Sequence, residues 1–203
     1  NVGVLKVYAG ITPVSAGGDS IGGSINAESR PPEFAAPGQS PILKGEAGTF
    51  YRSNNNARGG NFSASHAQEN FRIGYDGSYS KADNYSAGGD FKTSKVTGRA
   101  GHTLPLDEVG SSAYENINQT LSLAVQNADH MAELKGGEQQ VPEELFPNQR
   151  MDMTDNTQKW VNLRTRSHFN WGELEAGLYH EKVDHSMDFG PDKRFWYGTA
   201  SGG

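Results

Sequence analysis

A chain of 203 residues is long enough for one domain with a sizeable core, yet only 34% of it is hydrophobic and its mean hydropathy is -0.70, so an ordinary globular core is under-supplied. The net charge of -6 argues against nucleic acid as a partner, because phosphate binding needs clustered cations. The lack of cysteine excludes disulfides, thiolate metal sites and Cys nucleophiles in this stretch.

Glycine at 26 residues, with 10% aromatic and only 21% charged residues, describes a β-protein with wide wetted surfaces rather than charge-driven disorder. No run approaches the ~20 apolar residues of a membrane helix. Strands that alternate apolar and polar residues remain open as a way across a bilayer. The chain opens inside a strand-like run, VGVLKVYAG, and closes on TASGG, which reads as a piece cut from a longer protein.

Residues 1–30 hold two short β-runs, VLKVYAG and SIGGSINA, joined by the turn-rich ITPVSAGGDS. Residues 31–41, PPEFAAPGQSP, carry four prolines and form an extended connector, since proline fixes φ and cannot donate to a ladder. From residue 42 the chain is one strand-rich domain, with runs expected at 43–53, 60–68, 70–82, 114–126, 130–141, 157–169 and 173–183. Period two is clear in several: Leu174, Ala176 and Leu178 share a face opposite Glu173, Glu175, Tyr179 and Glu181, and Leu121, Leu123 and Val125 oppose Ser122 and Ala124.

The connections alternate between tight turns (68–70, 127–129, 170–172) and longer polar segments (54–59, 84–113, 142–156, 184 onward). Short turns at one rim and long loops at the other are the layout of an outer-membrane barrel, whose tilted strands need roughly 9 to 11 residues to cross. Aromatics near run ends, Phe50, Tyr51, Phe169, Trp171 and Tyr179, are candidates for the interfacial girdles. A half-buried sheet in a secreted sandwich or adhesion module is the alternative.

The segment VYAGITPVSAGGDSIGGSIN resembles the end of the plug domain of TonB-dependent outer-membrane receptors, through Gly10, Val14, Gly17, Gly18, Gly22, Gly23 and Ile25. A phosphate loop is the rival, but Ser24 stands after Gly23 where a lysine is needed. TGRAGHTLPLDEVGSSAY, FPNQRMDMTDN and HSMDFGPDKRFWYG are similar to stretches of a copper-associated branch of these receptors, the OprC/NosA-type group. The resemblance implies an all-β fold: a partial transmembrane antiparallel β-barrel, about seven to eight strands of about 22, preceded by the C-terminal end of a plug. It also implies the TonB complex of the inner membrane and the lipid bilayer of the bacterial outer membrane as partners, with a metal ion or metal chelate as ligand.

Two pairs of soft donors stand out: Met151 with Met153, and His185 with Met187. In extended backbone, residues two apart point to one side about 6.6 Å apart, so each pair can aim at one ion. Thioether with imidazole suits Cu(I) and is poor for Mg or Ca. The strand count places both pairs on long loops at one rim, with copper as transported cargo rather than resident cofactor and the remaining ligands upstream of residue 1. Methionines that merely pack loops are the plain alternative.

An iron-siderophore is the other ligand class, with Arg194, Phe195, Trp196 and Tyr197 as its aromatic and basic candidates. His180, Glu181 and His185 miss the H-E-x-x-H spacing, and an offset of five puts the two histidines on opposite faces of a strand. No Ser, His and Asp arrangement of recognisable spacing appears, so the sequence points away from an enzyme.

Overall fold

A computed structural model describes residues 2–13, 22–97 and 99–193. The chain divides into two units, Asn1–Glu33 and Phe34–Gly203. In the first, β1 (Val2–Ala9) and β2 (Gly23–Ser29) form an antiparallel hairpin. Of the glycines that carry the plug resemblance, Gly17 and Gly18, together with Val14, lie outside the described residues. Gly23 has φ +113 and a Cβ there would collide with the carbonyl of Tyr8, so the close crossing of the two strands requires glycine.

The second unit is one seven-stranded antiparallel sheet in sequence order: β3 (Ile42–Arg52), β4 (Ala57–Ala67), β5 (Phe71–Ala82), β6 (Tyr114–Gln126), β7 (His130–Glu144), β8 (Asp152–Phe169) and β9 (Gly172–Asp188). Each strand pairs only with its chain neighbours, so the sheet is an open meander with free edges at β3 and β9, a section of an antiparallel β-barrel. The all-β fold expected from the sequence is the fold observed.

Register partners in an antiparallel ladder share a face, so the pairing assigns every side chain in the regular strands. One row crosses the whole sheet as Leu178, Leu163, Leu134, Leu123, Ile73, His66 and Leu43. The next row, on the opposite face, reads Tyr179, Asn162, Lys135, Ser122, Gly74, Ser65 and Lys44. One face is therefore apolar and the other polar across all seven strands.

The apolar face is not covered: Leu178 is 72% exposed and Leu43 80%, and Phe62, Leu121, Val125 and Leu174 are each about half exposed. It has limits along the strands. On β5 it runs from Phe71 to Tyr79 and on β8 from Phe169 back to Val161, in both cases about 27 Å of strand at ~3.4 Å per residue. Beyond it the same face turns charged, in a row of Glu138, Lys159 and Lys182, with Lys159 3.3 Å from Glu138 and Lys182 3.0 Å from Asp184.

The polar face is a lattice of short amide and carboxylate contacts. Asn118 donates to Ser78 and accepts from Gln139, and Gln158 and Tyr179 both donate to Glu181. Gly137 sits under Trp160, whose ring a Cβ would meet at 2.6 Å.

Several strand ends differ from expectation. β7 continues to Glu144, β8 begins at Asp152 and β9 runs to Asp188, so the connection expected over 142–156 is only 145–151. The segment expected as a long loop at 54–59 is a four-residue turn, 53–56, in which Asn56 takes φ +48 and accepts from the Tyr51 hydroxyl. Alternation of apolar residues stops where the apolar face stops, whereas backbone pairing does not need apolar side chains and goes on. Of the girdle candidates, Tyr51 and Phe169 lie on the apolar face, Phe169 stacked on Trp171 at 5.0 Å. Phe50 and Tyr179 lie on the polar face.

A candidate ligand site at the long-loop rim

The meander puts the turns 68–70, 127–129 and 170–171 at one rim and the connections 83–113, 145–151 and 189–193 at the other. All four sequence-derived metal candidates are at the second rim. Met153, His185 and Met187 are not in loops, as the sequence suggested, but in the last rungs of β8 and β9; only Met151 lies in a connection. The extended-backbone argument therefore holds for His185 with Met187 and not for Met151 with Met153.

A different pairing emerges instead. Met153 is the register partner of Met187, and His185 is that of Asn156, with a bulge between Met153 and Asp155. Met153 and Met187 thus share a face of adjacent strands, and His185 shares it two residues along β9. This is the polar face. Met153 is 8% exposed and Met187 37%. The His185 Nδ1 lies 3.1 Å from the Asn156 side-chain oxygen, which leaves Nε2 as the free donor when Nδ1 carries the proton. Among the described residues, no three His, Cys, Asp or Glu side chains gather in a way that holds a metal.

Next to Met153, the connections are fastened by two carboxylates. Asp152 is fully buried and accepts from the Ser111 hydroxyl (3.1 Å), the Phe146 amide (2.8 Å) and the Gly190 amide (3.2 Å). It also pairs with Lys193 at 2.9 Å. Lys193 completes its donors on the carbonyls of Phe146 and Gln149, both at 2.6 Å. Every polar atom of this buried pair is accounted for, the condition under which such a pair can persist.

Asp192 accepts from the Ser111 amide (2.7 Å), the Asn84 amide (2.8 Å) and lies 2.6 Å from His102 Nε2. Burial alone would raise its carboxyl, but the bonds from Ser111, Asn84 and His102 outweigh that and hold it below the usual aspartate value. Ser111, with φ +56, turns its amide to Asp192 and its hydroxyl to Asp152. The connection 83–113 is thereby tied to both 145–151 and 189–193. None of Asn84, His102, Ser111, Asp152, Asp192 and Lys193 was a candidate from sequence, because these six meet one another only across 41 or more residues, in segments without periodicity. The siderophore candidates Arg194, Phe195, Trp196 and Tyr197 lie outside the described residues.

An open meander with one apolar and one polar face, carrying its long, cross-tied connections at one rim, defines the class: a section of an antiparallel barrel wall with a structured loop rim. A solved structure named copper transporter OprC has the same fold, with a TM-score of 0.74 over 93% of this chain at 20% sequence identity. The chain spans 27% of that protein's length. At this identity the likeness is one of fold. No protein-family model matches the sequence, and no curated protein matches it.

Proposed function

We propose that this chain is the start of the barrel of a TonB-dependent receptor of the bacterial outer membrane, preceded by the end of its plug, and that the receptor takes up copper. The observation that carries the membrane part is the exposed apolar face. About 27 Å of strand tilted by ~40° stands about 20 Å high, close to the ~25 Å apolar band of outer-membrane barrels. Phe71, Phe169 and Trp171 at the short-turn end and Tyr51 and Tyr79 at the other sit where interfacial aromatics belong. Water-soluble proteins rarely leave so large an apolar band uncovered. The fold likeness to a transporter and the plug-like glycine segment favour transport over an adhesion or enzymatic role, with the TonB complex as energy partner.

Copper is favoured by the juxtaposition of Met153 and Met187 with His185 on one face. Two thioethers and an imidazole are soft donors that accept Cu(I) in three-coordinate geometry, with no carboxylate needed to balance a harder ion. Their position on the polar face, beneath the loop rim, is where cargo entering from outside would pass. Met153→Leu with Met187→Leu conserves volume and removes only the sulfurs. In the complete natural protein this double variant is expected to lose at least about tenfold in Cu(I) affinity, measured by competition with a chromogenic Cu(I) chelator, and to lose copper-dependent uptake. Unchanged affinity would remove these residues from the site.

A further inference from the structure

At the same loop rim, the connections line an open cavity of about 500 Å³, within the size range of small-molecule sites. Its wall is partly apolar, from Phe91, Val96, Leu104 and Pro147. Phe91 is 57% and Val96 73% exposed, so apolar surface is presented rather than packed away. The charged lining is Lys92, Lys95, Arg150 and Lys193 against Glu108 and Asp192.

Most of these charges are already committed. Asp192 is saturated by Ser111, Asn84 and His102, and Glu108 accepts from Asn84. Lys193 belongs to Asp152 and two carbonyls, and Lys92 donates to the Glu108 carbonyl at 2.6 Å. The Lys95 carbonyl accepts from the Leu104 amide at 2.9 Å, but its ammonium has no hydrogen bond or ion pair with any described residue. Arg150 has none either, its guanidinium lying 6.0 Å from the centre of the Phe189 ring. The carboxylates face inward to the loop ties while two cations remain available, so the cavity is an anion site by subtraction.

We infer that this cavity binds a small organic anion with an apolar body: Lys95 and Arg150 take the anionic group, and Phe91 and Val96 cover the apolar part. Arg150 supplies a planar fork suited to a carboxylate and Lys95 a point charge. The wall is preorganised, because Gly110–Ser111 and Asp192–Lys193 are held by the two-carboxylate ties whether or not a ligand is present, which lowers the ordering cost of binding. The inference goes beyond the copper reading and does not depend on it, since none of the soft donors lines the cavity.

Salicylate, an aromatic carboxylate small enough for the cavity, is the probe. Titrated calorimetrically into the complete natural protein in detergent at low salt, it should bind saturably at one site. Salicylamide, with the same ring and no charge, should bind at least about tenfold more weakly. Lys95→Gln with Arg150→Gln should cost salicylate a similar factor, Lys95→Arg should retain binding, and Lys159→Ala on the apolar face should change nothing. Absence of saturable salicylate binding, equal binding of salicylamide, or an unaffected double glutamine variant would each overturn the inference.

Discussion

Asp152 and Lys193 form the pair in which single atoms matter most. Asp152→Ala leaves the Lys193 ammonium, 10% exposed, without its counter-charge, and strands the Ser111 hydroxyl and two backbone amides. Breaking a buried pair of this kind costs roughly 3–5 kcal/mol, to be read from urea unfolding of the lipid-inserted protein. A loss below about 1 kcal/mol would mean that the ties are not formed. Gly190→Ala acts at the same place, because its Cβ would collide with the Asp152 carboxylate.

Asp192 sets the acid limit of the same rim. Its folded value is held below the ordinary 3.8, so its contribution is complete above that pH and disappears as the pH falls through the depressed folded value. Spin labels at Ser94 and Gln149 should keep their neutral-pH separation down to about pH 4 and move apart below it. In Asp192→Asn that acid step should be missing, and an identical step would contradict the assignment. None of this was legible in the sequence. His102, Ser111 and Asp192 meet only because the meander brings three irregular connections to one rim.

Strands carry the part that was legible. The alternation of Leu174, Ala176 and Leu178 against Glu173, Glu175 and Tyr179 fixed the faces of β9, and the register carries that assignment over to Leu163, Leu134, Leu123 and Ile73. Leu178→Arg places a charge inside the apolar band, one rung short of its long-loop limit at Val161, and should cost roughly 1–3 kcal/mol of folding into lipid. Tyr179→Arg, one residue on and facing the polar side, should cost far less. Equal tolerance at the two positions would mean the faces are wrongly assigned. What alternation could not show was where the strands stop. Beyond the band, Gln158, Asn156, Asp184 and Ser186 pair as regularly as the apolar residues do, and that continuation lifts Met153, His185 and Met187 out of loops and onto neighbouring rungs. The soft residue types were visible in sequence, but the Met153–Met187 partnership needed the register and its bulge.

At the scale of the molecule, the central claim is that the seven strands are membrane wall, with the apolar face in lipid and the polar face in a wet lumen. A secreted sandwich with the same strands would instead bury the apolar face against a second sheet. The described strands leave two unpaired edges, at β3 and β9, which barrel closure by further strands would satisfy. The most direct measurement uses the absence of native cysteine from this sequence. Nitroxide labels are placed singly at 117–125 in β6 of the complete protein in liposomes, with relaxation by oxygen, which concentrates in lipid, compared with relaxation by a water-soluble nickel chelate. The account predicts a period of two, with oxygen access highest at Leu121, Leu123 and Val125 and nickel access highest at Thr120, Ser122 and Ala124. Labels at Leu121, Leu123 and Val125 shielded from both reagents would contradict it, because that face would then be packed against protein rather than lipid.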